Sequence, residues 1–150
     1  MLGSLPGEAS LAAAQYYAHP QNQFWRLMGP IVGMNLEGAP YDERLAMILA
    51  SQVGLWDVIQ SAERIGSLDG AIRDHRPAPL AELVATLPRL AAVAFNGGKA
   101  ARIGRTQLVS SGAATLIDLP SSSPAYTLPF AIKQAEWMRL RAFLVDGTRA

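Results

Sequence analysis

The chain has 150 residues, half of them apolar and 17% charged, with a formal net charge of +1; this is the size and composition of one globular domain. A balance this close to neutral confines any nucleic-acid footprint to a local patch with modest salt dependence. The absence of cysteine excludes disulfides, thiolate catalysis and Cys-ligated zinc, and two histidines, His19 and His75, cannot build a metal site without carboxylates.

In chain order, Met1-Leu2 runs into the glycine-bracketed turn Gly3-Ser4-Leu5-Pro6-Gly7. An alanine-rich stretch from Glu8 to about Tyr17 reads as a helix. His19-Pro20-Gln21-Asn22-Gln23 leads into the apolar segment Phe24–Met28, with Pro20 and Asn22 marking a helix start and Asn22 a candidate N-cap. Tyr41 to Ala50 places Leu45, Ile48 and Leu49 at helical spacing. Val53–Ile59 has the β-branched and aromatic content of a strand.

Pro79–Leu87 is a short amphipathic helix ended near Pro88. Leu90–Phe95 is a continuous apolar run, as in a strand buried on both faces, and it closes on Asn96-Gly97-Gly98. Lys99–Gly104 reads as helix, Ala113–Leu119 as the last strand, and Phe130–Leu144 as a final amphipathic helix. Buried strands alternating with helices predict a three-layer α/β/α sandwich around a short, mainly parallel four-stranded sheet. Ligands bind such sheets beyond the carboxyl ends of the strands. The turn at 3–7, Asp57, Asn96-Gly97-Gly98 and Ser121–Ala125 would then share one rim.

Gly3-Ser4-Leu5-Pro6-Gly7 followed by Tyr17-Ala18-His19-Pro20-Gln21-Asn22-Gln23-Phe24-Trp25 resembles the first motif of the uracil-DNA glycosylase superfamily, in its mismatch-specific branch. Ser121-Ser122-Ser123-Pro124-Ala125 resembles the superfamily's second motif, a serine-proline loop that grips DNA. Together these variants are similar to those of hypoxanthine-DNA glycosylases, and the resemblance covers nearly the whole chain. Relatives carry four or more apolar residues before the glycine turn. Here Met1 and Leu2 stand in that place, so the first strand is expected to be largely truncated, or the start to lie upstream.

The resemblance implies a monofunctional hydrolase that removes a deaminated base, hypoxanthine first, from damaged DNA without a metal or other cofactor. Two departures bear on base choice. Leu5 occupies the slot where many relatives hold Asp or Asn, and Ser121 lies near the slot where uracil-specific enzymes have histidine. Both lower the expectation of efficient uracil excision. The DNA-inserting leucine of relatives is replaced by Ala125, which leaves Tyr126 as a substitute wedge.

Asn22 is the candidate catalytic residue, through water or the oxocarbenium-like sugar, although a plain N-cap explains it too. Tyr17 is a candidate for stacking on a flipped base, with core packing as the alternative; Phe24 and Trp25 are read as core. His19 is either a base or phosphate contact or a structural hydrogen-bonder. Ser4 and Leu5 belong to the expected base pocket, where a tight turn alone would account for the glycines. Asp57 and Asn96 stand at strand ends, as base readers or as turn residues.

Ser121, Ser122, Ser123, Pro124, Ala125 and Tyr126 form the expected DNA-binding loop; a plain connector is the alternative. Lys99, Arg102 and Arg105 could touch phosphate or form a solvated helix face. A non-catalytic DNA-binding relative and a nucleoside hydrolase are the rival functions. With no apolar run of membrane-spanning length and no signal-peptide pattern, a cytoplasmic monomer is expected.

Overall fold

Four short parallel strands form the centre of the molecule. The computed structural model describes residues 1–64, 72–110, 112 and 114–144. In chain order the elements are β1 (Leu2–Gly3), α1 (Glu8–Ala13), α2 (Phe24–Val32), α3 (Tyr41–Ala50), β2 (Trp56–Asp57), β3 (Ile59–Arg64), β4 (Ile72–Pro77), α4 (Leu80–Ala85), β5 (Ala92–Asn96), α5 (Gly98–Leu108), β6 (Thr115–Leu119) and α6 (Phe130–Trp137). A 3-10 segment, Met138–Phe143, follows α6. The main sheet has the order β2-β1-β5-β6, and β3 and β4 form a separate antiparallel pair.

Alternation along β5 and β6 divides the core into two layers. Val93 and Phe95 join Leu2, Leu80, Ala100, Ala101, Ile103 and Leu108 on the face covered by α4 and α5. Ala94, Ile117 and Leu119 point the other way, onto Phe24, Leu27, Met28, Ile31, Ile48 and Trp137. This period of two is what a sheet buried on both faces requires. Phe24, Phe95 and Trp137 are fully buried, each contributing about 1.5–3 kcal/mol relative to exposure. Gly104 lets α5 approach β5, because a Cβ there would run into the Phe95 ring.

The expected three-layer sandwich is present, and its four-stranded sheet is parallel throughout. β1 is as short as expected, yet it lies inside the sheet, where Leu2 pairs with both Trp56 and Phe95. Three local expectations need correction. The helix expected to reach Tyr17 stops at Ala13, because Ala14 turns into the left-handed region with φ of 52°. The strand expected over Val53–Ile59 narrows to Trp56–Asp57, and from Ile59 the chain leaves the main sheet for the β3–β4 pair. That pair was not foreseen. The final helix tightens to 3-10 geometry after Trp137. Among the described residues, no helix is long and apolar enough to cross a membrane.

Candidate active site

The carboxyl ends of β1, β2, β5 and β6 open into one cavity of about 490 Å³, within the range of small-molecule sites. Gly3 to Gly7, Tyr16, Tyr17, His19, Asn22, Asp57, Asn96 to Lys99 and Ser121 to Tyr126 line it. Every residue singled out as catalytic, base-binding or DNA-binding from the sequence therefore reaches the same cavity. Arg102 and Arg105 do not. Arg105 is instead held by Asp118 at 2.8 Å and by the Leu116 carbonyl at 3.3 Å.

One wall is a neutral hydrogen-bond network stitched from three distant loops. Asn96 takes Ser122 in a two-point grip: its Oδ1 accepts the Ser122 backbone N–H at 2.8 Å, and its Nδ2 donates to Ser122 Oγ at 2.9 Å. Ser122 Oγ passes its own proton on to Asn22 Oδ1 at 2.9 Å. The same Asn22 oxygen accepts the Phe24 backbone N–H at 3.0 Å, and the Gln23 N–H donates to the Ser122 carbonyl at 3.0 Å. Each backbone donor demands an oxygen, so both amide orientations are fixed by the network. With both lone-pair directions of Asn22 Oδ1 occupied, Nδ2 is the end of this amide left to work on a ligand.

The N-cap expectation for Asn22 is thus displaced by one residue. Gln23 holds the cap position without a side-chain bond, while Asn22 accepts from the first helical N–H. Two expected roles also change. Asn96 is buried with its amide turned to Ser122 rather than set free to read a base. Ser122 is buried, and its hydroxyl bridges the two asparagines instead of facing phosphate. Ser121 and Ser123 each accept, at the hydroxyl oxygen, a backbone N–H from two residues on. Tyr126, the candidate wedge, is exposed.

Gly97 makes the turn that joins β5 to this wall. Its φ of 98° suits glycine, and a Cβ there would meet Ser121 Cβ at 3.1 Å. From behind, the buried Lys133 donates to Gln23 Oε1 at 3.0 Å and to the Ser123 carbonyl at 3.1 Å. It clamps the serine loop onto the start of α2, and burial lowers its ammonium pKa below the ordinary lysine value. Trp137 adds a bond from Nε1 to the Pro120 carbonyl at 2.8 Å. Nothing in the sequence distinguished Lys133 from the other polar residues of an amphipathic helix.

The opposite character appears around Gly3, Tyr16, Tyr17 and Asp57. Parallel pairing sets Gly3 beside Asp57. A Cβ on Gly3 would lie 3.0 Å from the Tyr17 hydroxyl and 3.2 Å from Asp57 Oδ1, so glycine is what lets these groups close over bare backbone. Tyr17 stacks on Phe24 with ring centroids 3.9 Å apart and holds a left-handed φ of 54°. For a non-glycine residue that costs about 1–3 kcal/mol and persists only where neighbours enforce it. The Ala18 N–H bond to Ser10 Oγ and the Tyr16 N–H bond to the Tyr41 hydroxyl, each 3.0 Å, secure the loop. Burial pushes Asp57 up to about 6, and burial followed by the Asp57 charge pushes Tyr16 up to about 12. Tyr16 was missed from sequence, although it stands next to Tyr17.

Leu5 is half-buried and packs on the core layer beneath α5, so it contributes shape and no polar group to the cavity. His19 is exposed at the rim, its Nδ1 accepting the Gln21 N–H at 3.1 Å. Among the described residues no cluster of His, Asp and Glu could hold a metal ion.

Comparison with known proteins matches residues 1–144 to the Uracil DNA glycosylase superfamily. The chain belongs to that superfamily. A Hypoxanthine DNA glycosylase of Methanosarcina acetivorans is 37% identical to this superfamily member over 137 residues, which is 91% of this chain and 85% of that protein. A Hypoxanthine DNA glycosylase of Methanosarcina barkeri is 42% identical over 99 residues, 66% of this chain and 63% of that one. The solution NMR structure of a Methanosarcina acetivorans protein superposes with a TM-score of 0.83 at 35% identity, covering 95% of this chain and 87% of that chain. The sandwich is therefore that of a uracil-DNA glycosylase superfamily member.

Proposed function

We propose that this chain is a monofunctional DNA glycosylase that hydrolyses the N-glycosidic bond of hypoxanthine in DNA. The observation that carries the reading is the Asn22–Ser122–Asn96 network standing in a cavity large enough for a flipped base. A base must leave the helical stack to be reached by such an enzyme. The 37% identity to a protein named Hypoxanthine DNA glycosylase supports that choice of base.

The chemistry follows from what the wall can and cannot do. Breaking the C1′–N9 bond leaves positive charge on the sugar and negative charge on the base. The Asn22 amide, locked through its oxygen, offers Nδ2–H as a donor aimed by the fold before substrate arrives; such preorganised dipoles are the usual source of large rate effects. Tyr17, on its strained backbone over Phe24, offers a ring for the flipped base. The Ser121 and Ser123 hydroxyls suit DNA phosphates, with Lys133 fixing the loop that carries them. Lys133 is held by Gln23 and Ser123, which disfavours it as a Schiff-base nucleophile.

The test is base release from a hypoxanthine-containing duplex, read as alkali-dependent strand scission. Release without borohydride-trappable enzyme supports the proposal. Binding without release identifies a non-catalytic relative, and release only from free deoxyinosine identifies a nucleoside hydrolase.

A further inference from the structure

The neutral wall leaves one requirement of the reaction unmet: amides and a serine hydroxyl do not supply a proton to the departing base at neutral pH. We propose that Asp57, in its neutral carboxylic form, donates a proton to the leaving base as the general acid of the reaction. This rests on the glycosylase reading above.

Position and surroundings fit Asp57 to that role. It stands at the end of β2 in register with Gly3, and it lines the same cavity as Asn22. Gly3 carries no side chain, so the Asp57 carboxyl and the Tyr17 hydroxyl reach over its bare backbone, 3.2 and 3.0 Å from where a Cβ would stand. The ion pairs among the described residues, Arg105–Asp118 and Arg139–Glu136, do not include it.

Burial, with no cation paired to it among the described residues, favours the protonated form of Asp57. Tyr16 and Tyr17 approach from the loop after α1, with Tyr41 of α3 behind Tyr16, and these are phenols rather than cations. Met1 on the β1 side gives its amino group to the Gly54 carbonyl. Lys99 and His19 line the cavity too and are the groups that would oppose protonation or compete as the acid. Burial already holds the Asp57 pKa near 6. A bound polyanion adds negative charge, which pushes a carboxyl further toward its neutral form.

The C1′–N9 bond breaks and its electron pair goes to the purine. The Asp57 proton moves to a ring nitrogen or to the carbonyl oxygen of the base. Water adds its oxygen to C1′, and the proton it releases returns to the carboxylate directly or through solvent. Products are free hypoxanthine and an abasic sugar.

The experiment is single-turnover release of hypoxanthine from duplex DNA between about pH 5 and about pH 9, for the wild type, Asp57→Asn, Asp57→Glu and His19→Gln. The wild-type rate should fall as pH rises, with an apparent midpoint at or above 6. Asp57→Asn should lose roughly 10²-fold or more at the acid end and become flat with pH. Asp57→Glu should recover the pH-dependent limb at a displaced midpoint, and His19→Gln should keep it whatever its rate. An unchanged limb in Asp57→Asn, a limb abolished by His19→Gln, or a wild-type rate with no alkaline fall would each overturn the proposal. The last of these needs no variant, so it stands even if Asp57→Asn fails to fold. A wild type that releases no base at any pH would instead remove the glycosylase reading, and this proposal with it.

Discussion

The two walls of the cavity are built on contrary principles. Around Asn22, Ser122 and Asn96 the groups are neutral and are tied together by hydrogen bonds across loops as much as 100 residues apart, with Asn22 Nδ2 left over. Around Gly3, Tyr16, Tyr17 and Asp57 a half-buried carboxyl sits among phenols, over a glycine and beside a strained tyrosine. The first wall is organised before substrate binds and changes little with pH. The second holds a titrating group whose burial is itself a cost. A fold tolerates such a site where function needs it.

The largest effect expected from breaking this contrast is on the neutral wall. Asn22→Ala should lower single-turnover base release by roughly 10²–10³-fold, the scale for losing one preorganised donor. Its folding should weaken by only about 0.5–2 kcal/mol, as for a lost helix-end bond, so melting curves separate the two effects.

Ser122→Ala should act on folding as well. It leaves the half-buried Asn22 Oδ1 and the buried Asn96 Nδ2 each short of a partner, which costs about 1–3 kcal/mol. Urea unfolding would show this as a lower midpoint with an unchanged slope.

The titrating wall should respond in the opposite direction. Asp57 is raised when folded, so the charged form is disfavoured by folding. Below the unfolded carboxyl value, near 4, both states are protonated and there is no penalty. The penalty grows as pH rises from about 4 to about 6 and stays in full above that. Asp57→Asn should therefore stabilise the protein at pH 7.5 by on the order of 1–3 kcal/mol and have little effect at about pH 4. Thermal midpoints of wild type and variant at the two pH values check the sign.

The smallest effect is expected away from both walls. Arg105→Gln removes a half-exposed ion pair with Asp118 and should cost about 0.2–1 kcal/mol, with base release unchanged within error.

How much of this could be read from the sequence depended on range. α3 was legible to the residue, because its apolar spacing is regular. The sheet was legible through the Leu90–Phe95 run, and the shared rim followed from strand ends. The β3–β4 pair was not, because the stretch following Val58 carries charged residues in place of the apolar alternation that marks a strand. Asn22 and the serine loop stood out as motifs. Ser122 as a bridge, and Asn96 as its holder, did not, because a hydrogen bond spanning 100 positions leaves no local pattern. Asp57 was visible only as a strand-end carboxyl; its approach to Tyr17 across Gly3 is a tertiary fact.

The central claim is tested most directly by measuring base release side by side from duplexes carrying hypoxanthine or uracil and from free deoxyinosine, with folded Asn22→Ala in parallel. The account predicts release from DNA, hypoxanthine faster than uracil because neither Leu5 nor Ser121 offers the groups used by uracil-specific relatives, and near-complete loss in Asn22→Ala. Full activity in that variant, or release from the free nucleoside alone, would contradict it.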